Sequence, residues 1–173
     1  MRLLSFVGCV VVLFATTALV QPQWLVPVTT SANISFLKPG WFVGVNGVPS
    51  KLYKEDIAKS VKTTVDSTLR RYGLVGTSSD EEYSIETSLG SLRGCTYAGG
   101  WIDCSNSDEE ISLTVELVLD GSNDSPVVYQ ENIAMNEFGL LPLSRQVRKV
   151  TRNFVRELSR SGVLDEMRET PYF

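Results

Sequence analysis

The run Ile111-Ser112-Leu113-Thr114-Val115-Glu116-Leu117-Val118-Leu119 carries five aliphatic side chains at alternate positions, with Ser, Thr, Glu and Val between them. Successive side chains of a strand point to opposite faces, so this segment has one apolar face and one wetter face. A strand covered on both sides would be apolar throughout. The alternation therefore predicts a half-buried antiparallel strand. Tyr83 to Leu89 follows the same rule, with Tyr83, Ile85, Thr87 and Leu89 on one side and Ser84, Glu86 and Ser88 on the other. Val127 to Met135 reads as a third strand, reached through the turn-forming stretch Asp120 to Pro126.

Sheet faces of this kind need cover on one side, and two segments can supply it. From about Leu52 to Tyr72, the residues Ile57, Ala58, Val61, Val65, Leu69 and Tyr72 fall on one arc of a helix, with Lys59, Asp66 and Arg70 opposite. Gly73 is a natural stop. A second helix is predicted from about Leu143 to Arg160, with Val147, Val150, Phe154, Val155 and Leu158 inward and Gly162 at its end. Upstream, Ile34 to Leu37 and Trp41 to Val45 read as short strands joined by Lys38-Pro39-Gly40. The expected fold is α+β: a two-layer sandwich with a mainly antiparallel sheet of four to five strands, covered on one face by two amphipathic helices.

The amino terminus bears on location. Arg2 precedes an apolar run, Leu3 to Val20, interrupted only by Ser5, Thr16 and Thr17, and the chain turns polar at Gln21-Pro22-Gln23. Residues 1–20 therefore read as an export signal, with an uncleaved anchor as the rival reading because the run nears the span of a bilayer. Phe6-Val7-Gly8-Cys9 is only loosely like a lipobox, since the hydrophobic stretch continues past Cys9. Residues 21–50 then hold N-terminal strands and loops, 51–165 the core of a single domain, and 166–173 a tail. The protein is expected outside the cytoplasm, periplasmic or secreted, and membrane-associated through its N-terminus if that segment is retained.

In such a compartment cysteines pair. Cys95-Thr-Tyr-Ala-Gly-Gly-Trp-Ile-Asp-Cys104 centres on Gly99-Gly100, a pair suited to the positive φ of a tight hairpin turn. Counting outward, Ala98 opposes Trp101, Tyr97 opposes Ile102, Thr96 opposes Asp103 and Cys95 opposes Cys104. The last falls on a non-hydrogen-bonded pair, whose short Cα separation suits a disulfide. A Cys95–Cys104 bridge is the expected outcome. A redox-active pair is disfavoured by the eight intervening residues.

Composition removes much of the catalytic repertoire. The chain has 173 residues and no histidine, so Ser-His-Asp and Cys-His nucleophiles and His-ligated zinc are excluded. Two acidic clusters remain, Asp80-Glu81-Glu82 and Asp103 with Asp108-Glu109-Glu110. Runs of acids in loops are ordinary solvated turn chemistry, so no catalytic residue is assigned. Asp103-x-Ser105-x-Ser107 and Asp120-x-Ser122-x-Asp124 place oxygens at alternate positions. Neither has the glycine and glutamate of an EF-hand loop, and no metal or cofactor is expected. Asn33-Ile34-Ser35 and Asn123-Asp124-Ser125 match the glycosylation tripeptide. Losing residues 1–20 removes only Arg2 from the charged set, leaving 15 basic against 20 acidic residues. That balance argues against nucleic acid as partner.

One segment reverses the acidic trend. Arg145, Arg148, Lys149, Arg152, Arg156 and Arg160 share about a third of the circumference of the last helix, opposite its apolar stripe. Two readings stand: a solvated outer face, or a surface whose positive field attracts an envelope protein, anionic lipid or lipopolysaccharide.

The order of elements is also familiar. A leader, a short strand, a long helix ending in "LRRYGLV", then "EEYSIETSLGSL", "EEISLTVELVLDG" and "SRQVRKVTRNFVRELSRSG" resemble a group of small bacterial envelope proteins, across about 110 residues. The group comprises the lipopolysaccharide-assembly lipoprotein LptE, the YajG-type lipoproteins and the amino-terminal domain of TolB. The resemblance implies a non-enzymatic binding or adaptor module of an envelope or secretion assembly, and it transfers no individual functional residue. A secreted effector of the same fold is the alternative, and a carboxylate-dependent hydrolase is a more distant one.

Overall fold

The computed structural model describes residues 25–35, 40–43, 49–52, 54–98, 101–104, 110–121, 125–136 and 139–169. Three strands open the described chain: β1 (Val26–Ile34), β2 (Gly40–Val43) and β3 (Pro49–Leu52). Helix α1 (Lys54–Leu69) follows and tightens into a 3-10 turn, Arg70–Tyr72. Gly73 ends it at φ 84°, a left-handed conformation that glycine adopts without steric cost. Then come β4 (Leu74–Thr77), β5 (Ser84–Arg93), β6 (Thr96–Ala98), β7 (Trp101–Asp103), β8 (Ile111–Asp120) and β9 (Val127–Met135). Helices α2 (Leu140–Arg160) and α3 (Val163–Glu169) close the described chain.

Five strands form the main sheet in the order β4-β1-β5-β8-β9. β5, β8 and β9 make the expected antiparallel meander, in a register that pairs Leu89 with Val115 and Leu117 with Tyr129. These antiparallel ladders make up most of the pairing in the sheet, and β1 makes it mixed by running parallel to both of its neighbours, β4 and β5. The cause is topological. Helix α1 carries the chain from β1 back to the start of β4, and a crossover of this kind returns a parallel strand. A second small sheet, β3-β2-β7-β6, pairs β2 in parallel with the cysteine hairpin.

The fold class itself is α+β, with helices packed on a sheet. The helix-facing row of β8 is buried without a break, from Ile111 through Leu113, Val115 and Leu117 to Leu119. Above it lie Ile57, Val61, Val65 and Leu69 of α1 and Leu143, Val147, Val150, Phe154 and Leu158 of α2. Fully burying an aliphatic or phenyl side chain stabilises by about 1.5–3 kcal/mol relative to exposure, so these stripes hold both helices to the sheet. The core extends past both boundaries read from sequence. Val26, Val28 and Ile34 belong to it from the segment before residue 51, and Met167 of α3, placed in the tail, is fully buried.

Smaller differences have local causes. The strand expected at Ile34 to Leu37 is instead β1, which ends at Ile34; residues 36–39, 44–48 and 53 lie outside the described residues. Leu52 ends β3, and α1 begins at Lys54. Asp66, expected on the wet face of α1, turns toward β1. It accepts a 2.7 Å hydrogen bond from the Thr30 hydroxyl and a 2.9 Å bond from Lys62, which also donates to Thr30 Oγ1 at 2.7 Å. Gly76 makes room for this carboxylate: a Cβ there would stand 2.3 Å from Asp66 Oδ1.

Candidate functional surface

Strands β6 and β7 adopt the register deduced from Gly99-Gly100, with Thr96 opposite Asp103, Tyr97 opposite Ile102 and Ala98 opposite Trp101; residues 99–100 lie outside the described set. Cys95 and Cys104 are disulfide-bonded with their Cα atoms 4.2 Å apart, the close approach of a non-hydrogen-bonded pair. Cys104 is 3 % exposed and belongs to the core cluster. The bridge thus staples the hairpin to the end of the main core. Just before it, Gly94 sits at φ 76°, where any Cβ would lie 2.7 Å from the Glu110 carbonyl oxygen.

The other predicted residues lie on α2. Its apolar stripe is buried, so the opposite arc must face outward: Arg145, Arg148, Lys149, Arg152, Arg156 and Arg160 are all exposed. Their surroundings divide them. Lys149 Nζ reaches Glu131 Oε1 of β9 at 3.5 Å, while Asn153 and Tyr129 each donate to Glu131 Oε2 at 3.1 Å. Glu131 therefore ties α2 to the edge of the sheet and absorbs the charge of Lys149. Arg160 pairs with Glu157 at 3.5 Å, and Arg156 donates to Asn153 Oδ1 at 3.3 Å. Arg145, Arg148, Arg152 and Arg156 make no ion pair among the described residues. They follow one another at spacings of three and four, which sets like charges about 5–6 Å apart at Cβ on a single stripe.

Beneath this face Tyr129 packs on Phe154, with ring centroids 6.3 Å apart. Burial, and then the bond to the Glu131 carboxylate, raise the Tyr129 hydroxyl pKa above its ordinary value of 10.0, because both disfavour a phenolate there.

Leu141 was missed in sequence. It is 75 % exposed and stands one turn before Arg145 on the same stripe. The spacing was visible, but the helix was expected to start at Leu143. Pro142 sits in the first turn of α2, where its lack of an N–H leaves no bond unmade, so the helix begins at Leu140.

The remaining candidates separate. Glu81 is bound into the β4–β5 turn: Ser79 donates to its carboxylate at 2.6 Å, and its own N–H donates to the Thr29 hydroxyl at 2.8 Å. Asp108 and Glu109, most of both oxygen-alternating stretches, and Asn123 lie outside the described residues. Asn33 is exposed on the outward side of β1. The sheet face away from the helices is polar and holds a shallow depression of about 310 Å³, lined by Ser91, Arg93, Ser112, Thr114, Gln130 and Asn132. Within the described main sheet and its turns, Arg93 is the sole cation, against Glu86, Glu116, Asp120 and Glu131 among the acids. Among the described residues the charge is therefore uneven, with six cations and one acid on α2 and mostly acids on the main sheet and its turns.

No family model and no curated protein matches the chain. Among solved structures, protein XCC0632 from Xanthomonas campestris, described as DUF330, is similar at 10 % identity and a TM-score of 0.47, covering 84 % of this chain and 92 % of its own. A second, the crystal structure of an uncharacterized protein, is similar at 9 % identity and a TM-score of 0.45, covering 76 % of this chain and 90 % of its own.

Proposed function

We propose that this chain is a non-enzymatic, exported binding or adaptor module of a cell-envelope or secretion assembly, and that it engages an anionic partner through the outer face of α2. The observation that carries the reading is the stripe Arg145, Arg148 and Arg152. Like charges at these spacings destabilise a helix by about 0.2–0.5 kcal/mol per pair, and here no acid offsets them among the described residues. Folding has no use for that cost, whereas attraction of an anionic partner does. The disulfide-stapled hairpin supports an oxidising location, and the absence of histidine is in keeping with binding rather than catalysis.

Photocrosslinking tests the reading in the producing cell. Ser159 is exposed and lies on the basic arc without carrying charge, so a photoreactive residue there reports on the face while leaving every cation in place. Val128, 58 % exposed on the opposite side of the sheet, is the control site. Crosslinks to another cell component from position 159 and not from 128 are expected. Equal yields from both positions, or none from 159, would refute the placement.

A further inference from the structure

Resting on that basic-face reading, we infer that the partner is the surface of an anionic phospholipid bilayer, on which α2 lies flat with Leu141 entering the headgroup boundary.

The shape of the charge array supports this assignment. The cations run along one convex helix rather than around a pocket. At 1.5 Å per residue, the stripe from Leu141 to Arg160 is about 28 Å long. A straight, convex row of guanidinium groups matches a planar field of phosphates. The one acid of this helix, Glu157, sits at the margin of the arc and is paired with Arg160.

Leu141 separates a bilayer from an acidic protein. A side chain 75 % exposed, in line with Arg145, Arg148 and Arg152, gains from a surface only if apolar material lies just beneath the negative groups. A bilayer has that stratification. Because the main apolar stripe of α2 is already buried in the core, little is left for the helix to insert beyond Leu141 and the 36 % exposed Leu140 beside it. Attachment is thus chiefly electrostatic, reversible and salt-sensitive. The uneven charge of the described residues acts in the same direction, turning α2 toward a negative surface and the acid-bearing strands of the main sheet away.

Co-sedimentation of the exported protein with vesicles at low salt tests the inference. Phosphatidylglycerol–phosphatidylcholine vesicles are compared with phosphatidylcholine alone, and the difference removes any contribution of the apolar N-terminal segment. Preference for the anionic vesicles is expected. It should fall roughly a hundred-fold in Arg145→Gln/Arg148→Gln/Arg152→Gln, taking about one kcal/mol for each cation near a charged bilayer. Leu141→Ser should weaken it several-fold. Lys59→Gln/Arg70→Gln/Arg71→Gln, which removes the same charge from exposed sites elsewhere, should leave it intact. Retention on polyglutamate without preference for anionic vesicles would overturn the lipid assignment while the basic-face reading survives. Loss of both kinds of binding would overturn both. Vesicle binding unaffected by Leu141→Ser would refute the insertion.

Discussion

Thr87 lies in the middle of β5, between Ala32 of β1 and Leu117 of β8, on the row that faces the helices. Its side chain is fully buried, and its hydroxyl has no hydrogen-bond partner among the described residues. A buried hydroxyl without a partner costs about 1–3 kcal/mol in lost hydration. Valine has the same shape and the same branching at Cβ, so Thr87→Val keeps the strand preference and opens no cavity. It removes the orphan group and buries one more methyl, worth about 0.8 kcal/mol. Allowing for tight packing around a slightly larger group, the net gain should be about 1–2 kcal/mol. For a domain of this size that is a rise in Tm of roughly 3–6 °C. Chemical denaturation of both forms measures it directly, with the midpoint rising and the slope unchanged. Thr87→Ser, which keeps the hydroxyl and loses the methyl, should instead cost about 1 kcal/mol. A valine variant less stable than the parent would refute the reasoning, because it would show that the hydroxyl is satisfied in solution.

Two further outcomes follow from the same structure. Replacing both Cys95 and Cys104 with alanine should cost about 2–3 kcal/mol by the chain-entropy estimate for a short loop, read as a lower unfolding midpoint; an unchanged midpoint would contradict the staple. Because the Tyr129 hydroxyl has a raised pKa, the folded chain holds that proton more tightly than the unfolded chain. Its contribution is therefore complete below pH 10 and declines as pH rises beyond. Thr87 and the disulfide aside, Tyr129→Phe should flatten the alkaline loss of stability in a pH series of melts, and an identical alkaline slope in both forms would count against the shift.

Much of the fold is legible in the chain because burial imposes a period. The β5, β8 and β9 rows, both long helices and the hairpin register can be read from alternation, a helical arc and a glycine pair. What escaped depends on contacts remote in sequence. β4 has four residues, too few for a pattern, and exists because β1 offers it an edge. β1 does alternate through Val26, Val28, Thr30, Ala32 and Ile34, but Pro27 and its small polar residues dilute the signal. The parallel pairing of β2 with β7 joins residues about sixty apart and leaves no local mark. Asp66 turns inward because Gly76 of another strand leaves space for it.

The candidate surface shows the same division. The six cations and their shared arc follow from helical geometry alone. Which of them are free does not, since Lys149 is claimed by Glu131, and that depends on how β9 meets α2. The tertiary structure thus takes Lys149 out of the six-residue face and leaves a stripe of arginines led by an exposed leucine.

Elution from a polyanionic column tests most directly whether that stripe is the binding surface. Arg145→Gln/Arg148→Gln/Arg152→Gln and Lys59→Gln/Arg70→Gln/Arg71→Gln lose the same charge from exposed positions. If the outer face of α2 is the contact, the first variant should elute at much lower salt than the parent and the second close to it. Equal shifts in both would show that net charge alone governs retention, and the account of α2 would be wrong.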